Sequence, residues 1–405
     1  MHETFRARVD YLSRMTTPIY LDHAATTPVR PEARAAMLPY LGDEAFGNPS
    51  SGHRWGRAAR AGLEQARRQV AAALGAEPGE VYFTSGGTEA DDLAVLGSAL
   101  AARGRGSPMR AAVAATEHKA VLAAAHAVAR FGGHEDVLPV GRDGLLDLGA
   151  LDDALLRRPS VVSVMWVNNE TGVVQPIDAI GRRCAAAGVR FHTDAVQAFG
   201  NRAIEFRALP CDFLTVSAHK VGGPKGVGAL LVRDRSAVEP LIRGGGQQGG
   251  LRPGTENIAG IVGFGAAAEL AARDHAVHAE RLRALRARLR DGLRSAVPDL
   301  VVTADAPDAA PHVLNVCVAG ADSEALLMHL DLAGVAASSG SACTTGAVEP
   351  SHVLLAMGVP HELAVGGIRF SLGRTTTEGD IDLALERVPG VAAKVRALSG
   401  VLARG

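Results

Sequence analysis

Phe213-Leu-Thr-Val-Ser-Ala-His-Lys220-Val-Gly-Gly-Pro-Lys225-Gly226 is the stretch from which the rest of the chain is read. Phe213, Leu214 and Val216 are apolar and β-prone, so the first half predicts a strand. Gly222, Gly223, Pro224 and Gly226 break regular structure, so the second half predicts a turn. A lysine is thereby delivered at the end of a buried strand, beside a histidine and a glycine loop. Schiff-base chemistry needs this presentation, because the amine must be desolvated enough for its neutral form to be reached. A solvated lysine after an edge strand is the commoner meaning of any single lysine. Only the neighbouring segments overturn it.

Working outward, Gly188 to Gln197 predicts a strand that ends at Asp194, and Gly228 to Arg233 predicts another. Ser160 to Glu170 is a near-continuous apolar run ending in Asn168 and Asn169, as expected of a strand covered on both faces. Ala111 to His118 reads as a strand, with a helix over Lys119 to Arg130. Val81 to Ser85 reads as a strand, followed by Gly86-Gly87-Thr88 and a helix over Glu89 to Leu100. That strand–glycine–hydroxyl–helix order is either a plain helix cap or an anion site built from free N–H groups and the helix dipole. No GxGxxG or GxxxxGK[ST] is present, so a single phosphate is a better fit than a dinucleotide or nucleoside triphosphate. Strands alternating with helices predict a doubly wound, mostly parallel α/β sheet. In such sheets ligands lie beyond the carboxyl ends of the strands. Thr88, His118, Asn169, Asp194, Gln197, Ser217, His219 and Lys220 all fall at that rim.

The chain has 405 residues and a formal net charge of -1, which predicts two domains and excludes a polyelectrolyte binder of nucleic acid or membrane. The N-terminus lacks a secretory pattern, and the apolar stretch around Ile258 to Ala268 is too short to span a bilayer. A cytoplasmic protein is expected. Cys184, Cys211, Cys317 and Cys343 form no CxxC pair, which argues against structural zinc and a disulfide framework. Arg243 to Thr255 is a glycine-rich loop, and a helical pattern runs from Glu256 to Ser295. The expected division is a segment 1–30 joining the small domain, a large domain over 31–270, and a small α+β domain over 271–405 that carries Cys343.

The rim residues meet the needs of pyridoxal phosphate: an amine from Lys220, an acid from Asp194, phosphate ligands from Thr88, Ser217 and His219, and a flat ring from His118. Gln197 and Asn169 supply hydrogen bonds to ring substituents. Thr-Glu-His118-Lys, Val-Asn168-Asn169-Glu-Thr-Gly, His-Thr-Asp194-Ala-Val-Gln197, Ser-Ala-His-Lys220 and Ser-Ser-Gly-Ser-Ala-Cys343 stand in order along the chain. Together they closely resemble the cysteine desulfurases, class V aminotransferase-like enzymes of fold-type I.

The resemblance implies a homodimer in which Thr255 reaches the neighbouring subunit's phosphate. It adds Gly87 and Ala218 to the cofactor set. It makes Cys343 the persulfide-forming sulfur acceptor, set in a stretch of small polar residues. It also implies L-cysteine as substrate, with Arg369 on the carboxylate and Arg374 as its rival, and a sulfur-acceptor protein such as an iron–sulfur scaffold as partner. Cys343 is then a candidate ligand of a transient cluster shared with that scaffold. The motif reads Ser-Ala-His-Lys where the family usually has Ser-Gly-His-Lys, and Gln247-Gln248 stand where it usually has a charged pair. A selenocysteine lyase, and a class V aminotransferase of a small amino acid, are the rival activities.

Overall fold

The computed structural model describes residues 18–340 and 349–402, the last four as backbone. Its strands are β1 (Ile19–Tyr20), β2 (Val81–Thr84), β3 (Arg110–Ala114), β4 (His134–Leu138), β5 (Val161–Ser163), β6 (Arg190–Asp194), β7 (Phe213–Ser217), β8 (Gly228–Val232), β9 (Leu300–Val302), β10 (Val313–Val318), β11 (Val335–Ala336) and β12 (Gly367–Ser371). Its helices are α1 (Pro31–Met37), α2 (Arg54–Ala73), α3 (Gly87–Gly104), α4 (Lys119–Arg130), α5 (Leu148–Leu156), α6 (Ile177–Ala187), α7 (Ile258–Ala296), α8 (Ser323–Leu332), α9 (His352–Ala356), α10 (His361–Ala364) and α11 (Glu378–Leu402).

Seven strands form the main sheet in the order β2-β8-β7-β6-β5-β3-β4. Only β8 runs antiparallel to its neighbours, so the sheet is mostly parallel, as the alternation of elements predicts. Both faces are covered, because successive side chains of a strand point to opposite sides. In β7, Leu214 and Val216 enter one core while Phe213 enters the other; in β8, Ala229 and Leu231 oppose Leu230 and Val232.

A second sheet, β12-β10-β9, is antiparallel, and β1 pairs with β11. Its core gathers Ile19 and Leu21 from the N-terminal segment with Phe370 of β12 and Ile381 of α11. Helix α7 serves both cores: Ile261 and Phe264 pack on the main sheet, and Leu282, Leu285 and Leu289 pack on the second.

Several elements differ from the sequence reading. Helix α3 begins at Gly87, two residues before the expected Glu89, which places Gly87 and Thr88 in its first turn. Strand β3 stops at Ala114. The apolar run from Ser160 is in a strand only over Val161–Ser163, although Val164 N and Trp166 N still donate to His192 O and Asp194 O at 3.1 and 2.9 Å. It then folds back, with Asn168 N donating to Val173 O at 2.8 Å and Gln175 N to Trp166 O at 2.9 Å. The Asn168 side chain closes that turn, its Oδ1 accepting from Glu170 N and Thr171 N at 3.0 and 2.9 Å. Strand β4 and helix α5 were not anticipated. In β4 only Leu138 is fully buried, so the edge strand carries no alternating apolar signal.

Candidate active site

The rim converges. A cavity of about 450 Å³ beyond the carboxyl ends of the main sheet is lined by Gly87 and Thr88 of α3, His118 before α4, and Asn169 after the β5 turn. Asp194 and Gln197 from the end of β6, Ser217, His219 and Lys220 after β7, and Arg369 of β12 complete it.

Helix α3 puts its first-turn N–H groups at one end of this cavity, where an anion would be held. A Cβ at 87 would crowd Val196, lying 3.1 Å from its Cγ2, and would touch Ser217 Cβ at 3.7 Å. Across from it, His219 Nδ1 is 3.1 Å from Thr26 Oγ1. The turn after Lys220 depends on Gly222, whose φ of +84° suits glycine, and Arg30 N donates to its carbonyl at 2.8 Å.

Lys220 ends a short 3-10 turn after β7. Its Nζ donates to Ala24 O, and to Ala25 O at 2.8 Å. Burial, helped by the Arg369 guanidinium, pushes its pKa down to about 8, against the opposing pull of Asp194 and Asp22. The neutral amine is therefore within reach near neutral pH.

Asp194 is buried, and its Oδ1 accepts from Val196 N at 2.8 Å. Burial raises its pKa, while His118 and Lys220 pull it back. The His118 ring faces the open cavity. The protein packed behind it desolvates the imidazole and lowers its pKa, with Lys220 adding to the effect and Asp194 opposing it. His118 Nδ1 accepts from Ala120 N at 3.2 Å, capping α4, so the neutral ring carries its proton on Nε2.

Arg369 is buried and binds Asn169 O at 2.9 Å through Nη1 and Asp22 Oδ1 at 2.7 Å through Nη2. Its Nε is buried and has no partner among the described residues. Arg369 lines the cavity wall, and a guanidinium there suits a carboxylate ligand. Arg374 is exposed and lines a different, smaller cavity.

The sequence reading missed several residues around the site. Ala24 and Ala25 line the cavity through backbone carbonyls, which no side-chain motif reveals. Asp91 of α3 also lines it, and burial, with Asp194 nearby, pushes its carboxyl well above the usual range. Beneath it, His192 is buried between Ser163 Oγ at 2.8 Å and Thr215 Oγ1 at 3.0 Å. Glu117, buried beside the expected His118, accepts from Met165 N at 2.6 Å. Asp91 and His192 sit inside a helix and a strand and Glu117 in the short turn between β3 and α4, where residue type alone does not single them out.

Two expected residues do not line the cavity. Ala218 is fully buried, and a Cβ at Gly223 would lie 2.9 Å from its methyl, so glycine at 223 accommodates the alanine of Ser-Ala-His-Lys. Thr255 is exposed. The loop before it is held without the family's charged pair. Gln248 is buried, with Oε1 accepting from Phe83 N at 3.0 Å and Arg67 Nη1 at 3.1 Å and Nε2 donating to Glu256 Oε1 at 3.2 Å. Arg252 pairs with Glu89 at 2.8 Å.

Cys343 lies outside the described residues. Cys184, Cys211 and Cys317 are free and buried, and burial pushes each thiol up to about 12. Among the described residues no group of His, Cys, Asp and Glu is placed to hold a metal ion, and no helix is long and apolar enough to cross a membrane.

The class-V aminotransferase family model matches residues 19–384. A cysteine desulfurase of Cereibacter sphaeroides is 49% identical over 386 residues, covering 94% of this chain and 97% of that protein. The cysteine desulfurase IscS of Dictyoglomus turgidum is 42% identical, covering 95% and 97%. The solved structure of a NifS-like protein superposes with a TM-score of 0.86 at 32% identity, covering 93% of this chain and all of that one. The chain belongs to the class-V aminotransferases, among the cysteine desulfurases.

Proposed function

We propose that this enzyme is a pyridoxal phosphate-dependent cysteine desulfurase that converts L-cysteine to L-alanine and leaves a persulfide on Cys343. The observation that carries the reading is Lys220, an amine with its pKa pushed to about 8, in one cavity with Asp194, His118 and Arg369.

The donor set fits the cofactor. The N–H groups of Gly87 and Thr88, with Ser217 and His219, would hold its phosphate. Asp194 holds the pyridine nitrogen, and its elevated affinity for a proton suits a hydrogen bond to that nitrogen. His118 would lie against the ring, and Gln197 and Asn169 would bind its substituents. When bound, the cofactor supplies an aldehyde for an amine and a conjugated ring that accepts electrons from the substrate's α-carbon.

Arg369 orients the substrate by its carboxylate through its guanidinium at the cavity wall. Lys220, neutral after desolvation, removes the α-proton. His118 moves a proton at Nε2. Cys343 acts as a thiolate: a bond forms between its sulfur and the substrate's sulfur while the substrate C–S bond breaks, and the carbon keeps the electron pair and takes up a proton. The balance is one cysteine thiol in and one alanine out, with the sulfur retained as persulfide. Cys184, Cys211 and Cys317 are poor alternatives, since burial holds each as a thiol.

The exposed Thr255 suits a phosphate contact across a homodimer, and the two separate cores support a large domain over 31–270 and a small one over 271–405 joined by 1–30. The persulfide passes to an acceptor protein such as an iron–sulfur scaffold, with which Cys343 shares a transient cluster.

Alanine and sulfide release from L-cysteine under reducing conditions, parent against Cys343→Ala, tests this. The variant is expected to keep its bound cofactor and release no sulfide. Equal turnover by both proteins would remove Cys343 from the reaction.

A further inference from the structure

Gln197 stands between two cavities: the active-site cavity, and a smaller one of about 50 Å³ behind it lined by His23, His278, His312 and Arg374. His312, 4% exposed, reaches it from the rear, with Nε2 at 3.1 Å from Gln197 Oε1. On the front, Gln197 Nε2 donates to Ala24 O at 2.9 Å, the same carbonyl that takes Lys220 Nζ. Ala24 is itself pinned through its N–H to Ser371 Oγ at 2.9 Å.

The direction of each bond follows from chemistry. Because the Gln197 amide nitrogen faces a carbonyl, its oxygen faces His312, and an amide oxygen only accepts. His312 therefore carries its proton on Nε2, and Nδ1, which has no partner among the described residues, is bare. The ring stays neutral. Burial pushes its pKa down to about 3, and the surrounding His278, Arg369, His23 and Arg286 push the same way. The backbone that carries the ring is anchored as well, since His312 O accepts from Leu372 N at 2.8 Å at the entry to β10.

We infer that His312 is a positioning residue that locks the Gln197 amide with its N–H groups turned toward Lys220 and the active-site cavity. The inference rests on the cavity being the cofactor site. The cofactor's ring hydroxyl is ortho to the aldehyde that condenses with the lysine amine. A donor held beside Lys220 Nζ therefore lies beside that hydroxyl. Donation to it favours its ionised form and weakens its hold on the proton of the adjacent lysine nitrogen. Without His312 the buried Gln197 oxygen loses its donor and the amide its fixed orientation.

Holoenzyme is titrated while following the cofactor's visible absorption. In His312→Leu the pH midpoint is expected to rise by about half to one unit, and cofactor to dissociate faster. His312→Gln, which places an N–H donor at the same reach, is expected to restore most of the parent value. In a Gln197→Leu background, His312→Leu is expected to add no further shift. Unchanged midpoints in His312→Leu, or a full additional shift in that background, would overturn the inference. Nitrogen-15 NMR of the histidine rings at pH 7 is expected to give the Nε2–H tautomer for His312. An Nδ1–H tautomer or an imidazolium would also overturn it. A protein that takes up no cofactor would defeat the cofactor reading, while the NMR experiment on the same chain still decides the His312–Gln197 bond.

Discussion

The two edges of the main sheet are built from the same strands and treat charge in opposite ways. At the amino edge, Arg110 opens β3 and pairs with Asp136 at 2.9 Å. Arg190 opens β6 and pairs with Asp212 and Asp234 at 2.6 and 2.9 Å. A cavity lies here too, lined by Arg105, Arg158, Arg190 and Asp234, and its charges are balanced and partly solvated. At the carboxyl edge, β6 ends in Asp194, and Asp91 and Glu117 stand nearby, all three buried with raised proton affinity. Lys220 has its charge disfavoured in the same place. Both edges have polar residues and a cavity, so neither feature locates function. The carboxyl edge differs in holding its ionisable groups away from water, which is the condition that shifts pKa values toward reactivity.

The largest effect that would sharpen this contrast comes from Lys220→Met. Alanine formation from L-cysteine is expected to fall by at least about 10³-fold, as for loss of a residue that acts in every step. The same variant tests the electrostatics. A lysine whose folded pKa is about 8, against 10.5 ordinarily, carries its full burial cost below pH 8 and sheds it between about pH 8 and 10.5, where the unfolded chain still binds a proton that the folded protein has released. Cofactor-free parent protein is therefore expected to gain stability relative to Lys220→Met as pH rises through that window. Parallel unfolding profiles across pH 8–10.5 would show that Lys220 is not desolvated.

A smaller effect is expected from Asp194→Asn, which keeps the shape and the hydrogen bond from Val196 N but removes the acid. A decrease in kcat/KM of about 10²-fold, with the fold intact by circular dichroism, is the expected outcome. The smallest belongs to the amino edge. Arg190 is 39% exposed, so Arg190→Ala is expected to cost roughly 1 kcal/mol or less in denaturant unfolding and to leave desulfurase turnover unchanged. A large loss of activity from Arg190→Ala would erase the distinction between the two edges.

Much of the carboxyl edge was legible because each side chain follows a strand with a clear apolar signature. Lys220, Asp194 and His118 could be placed at the rim before any contact was known. Helix α4 matched its expected bounds because its start is marked by His118 and its buried residues recur at helical spacing. Strand β4 escaped notice, since as a solvated edge it has little apolar pattern to read. The run from Ser160 was read too long, because a hairpin closed by the Asn168 side chain is hidden inside an apolar stretch. Asp91 and His312 were missed because burial, not residue type, gives them their character.

The sequence by itself determined the parallel α/β class, the rim residues and the family resemblance, since these rest on local periodicity, turn chemistry and the order of motifs. Only the tertiary structure decided that Ala24 and Ala25 receive the lysine amine and that Asp22 shares Arg369 with Asn169. The same holds for His312 standing behind Gln197, and for Gln248 replacing a charged pair in holding its loop. Each of these contacts joins residues far apart in the chain. The first three arise where two sheets with separate cores meet, the Gln248 contacts arise within the main-sheet unit, and no local pattern encodes either.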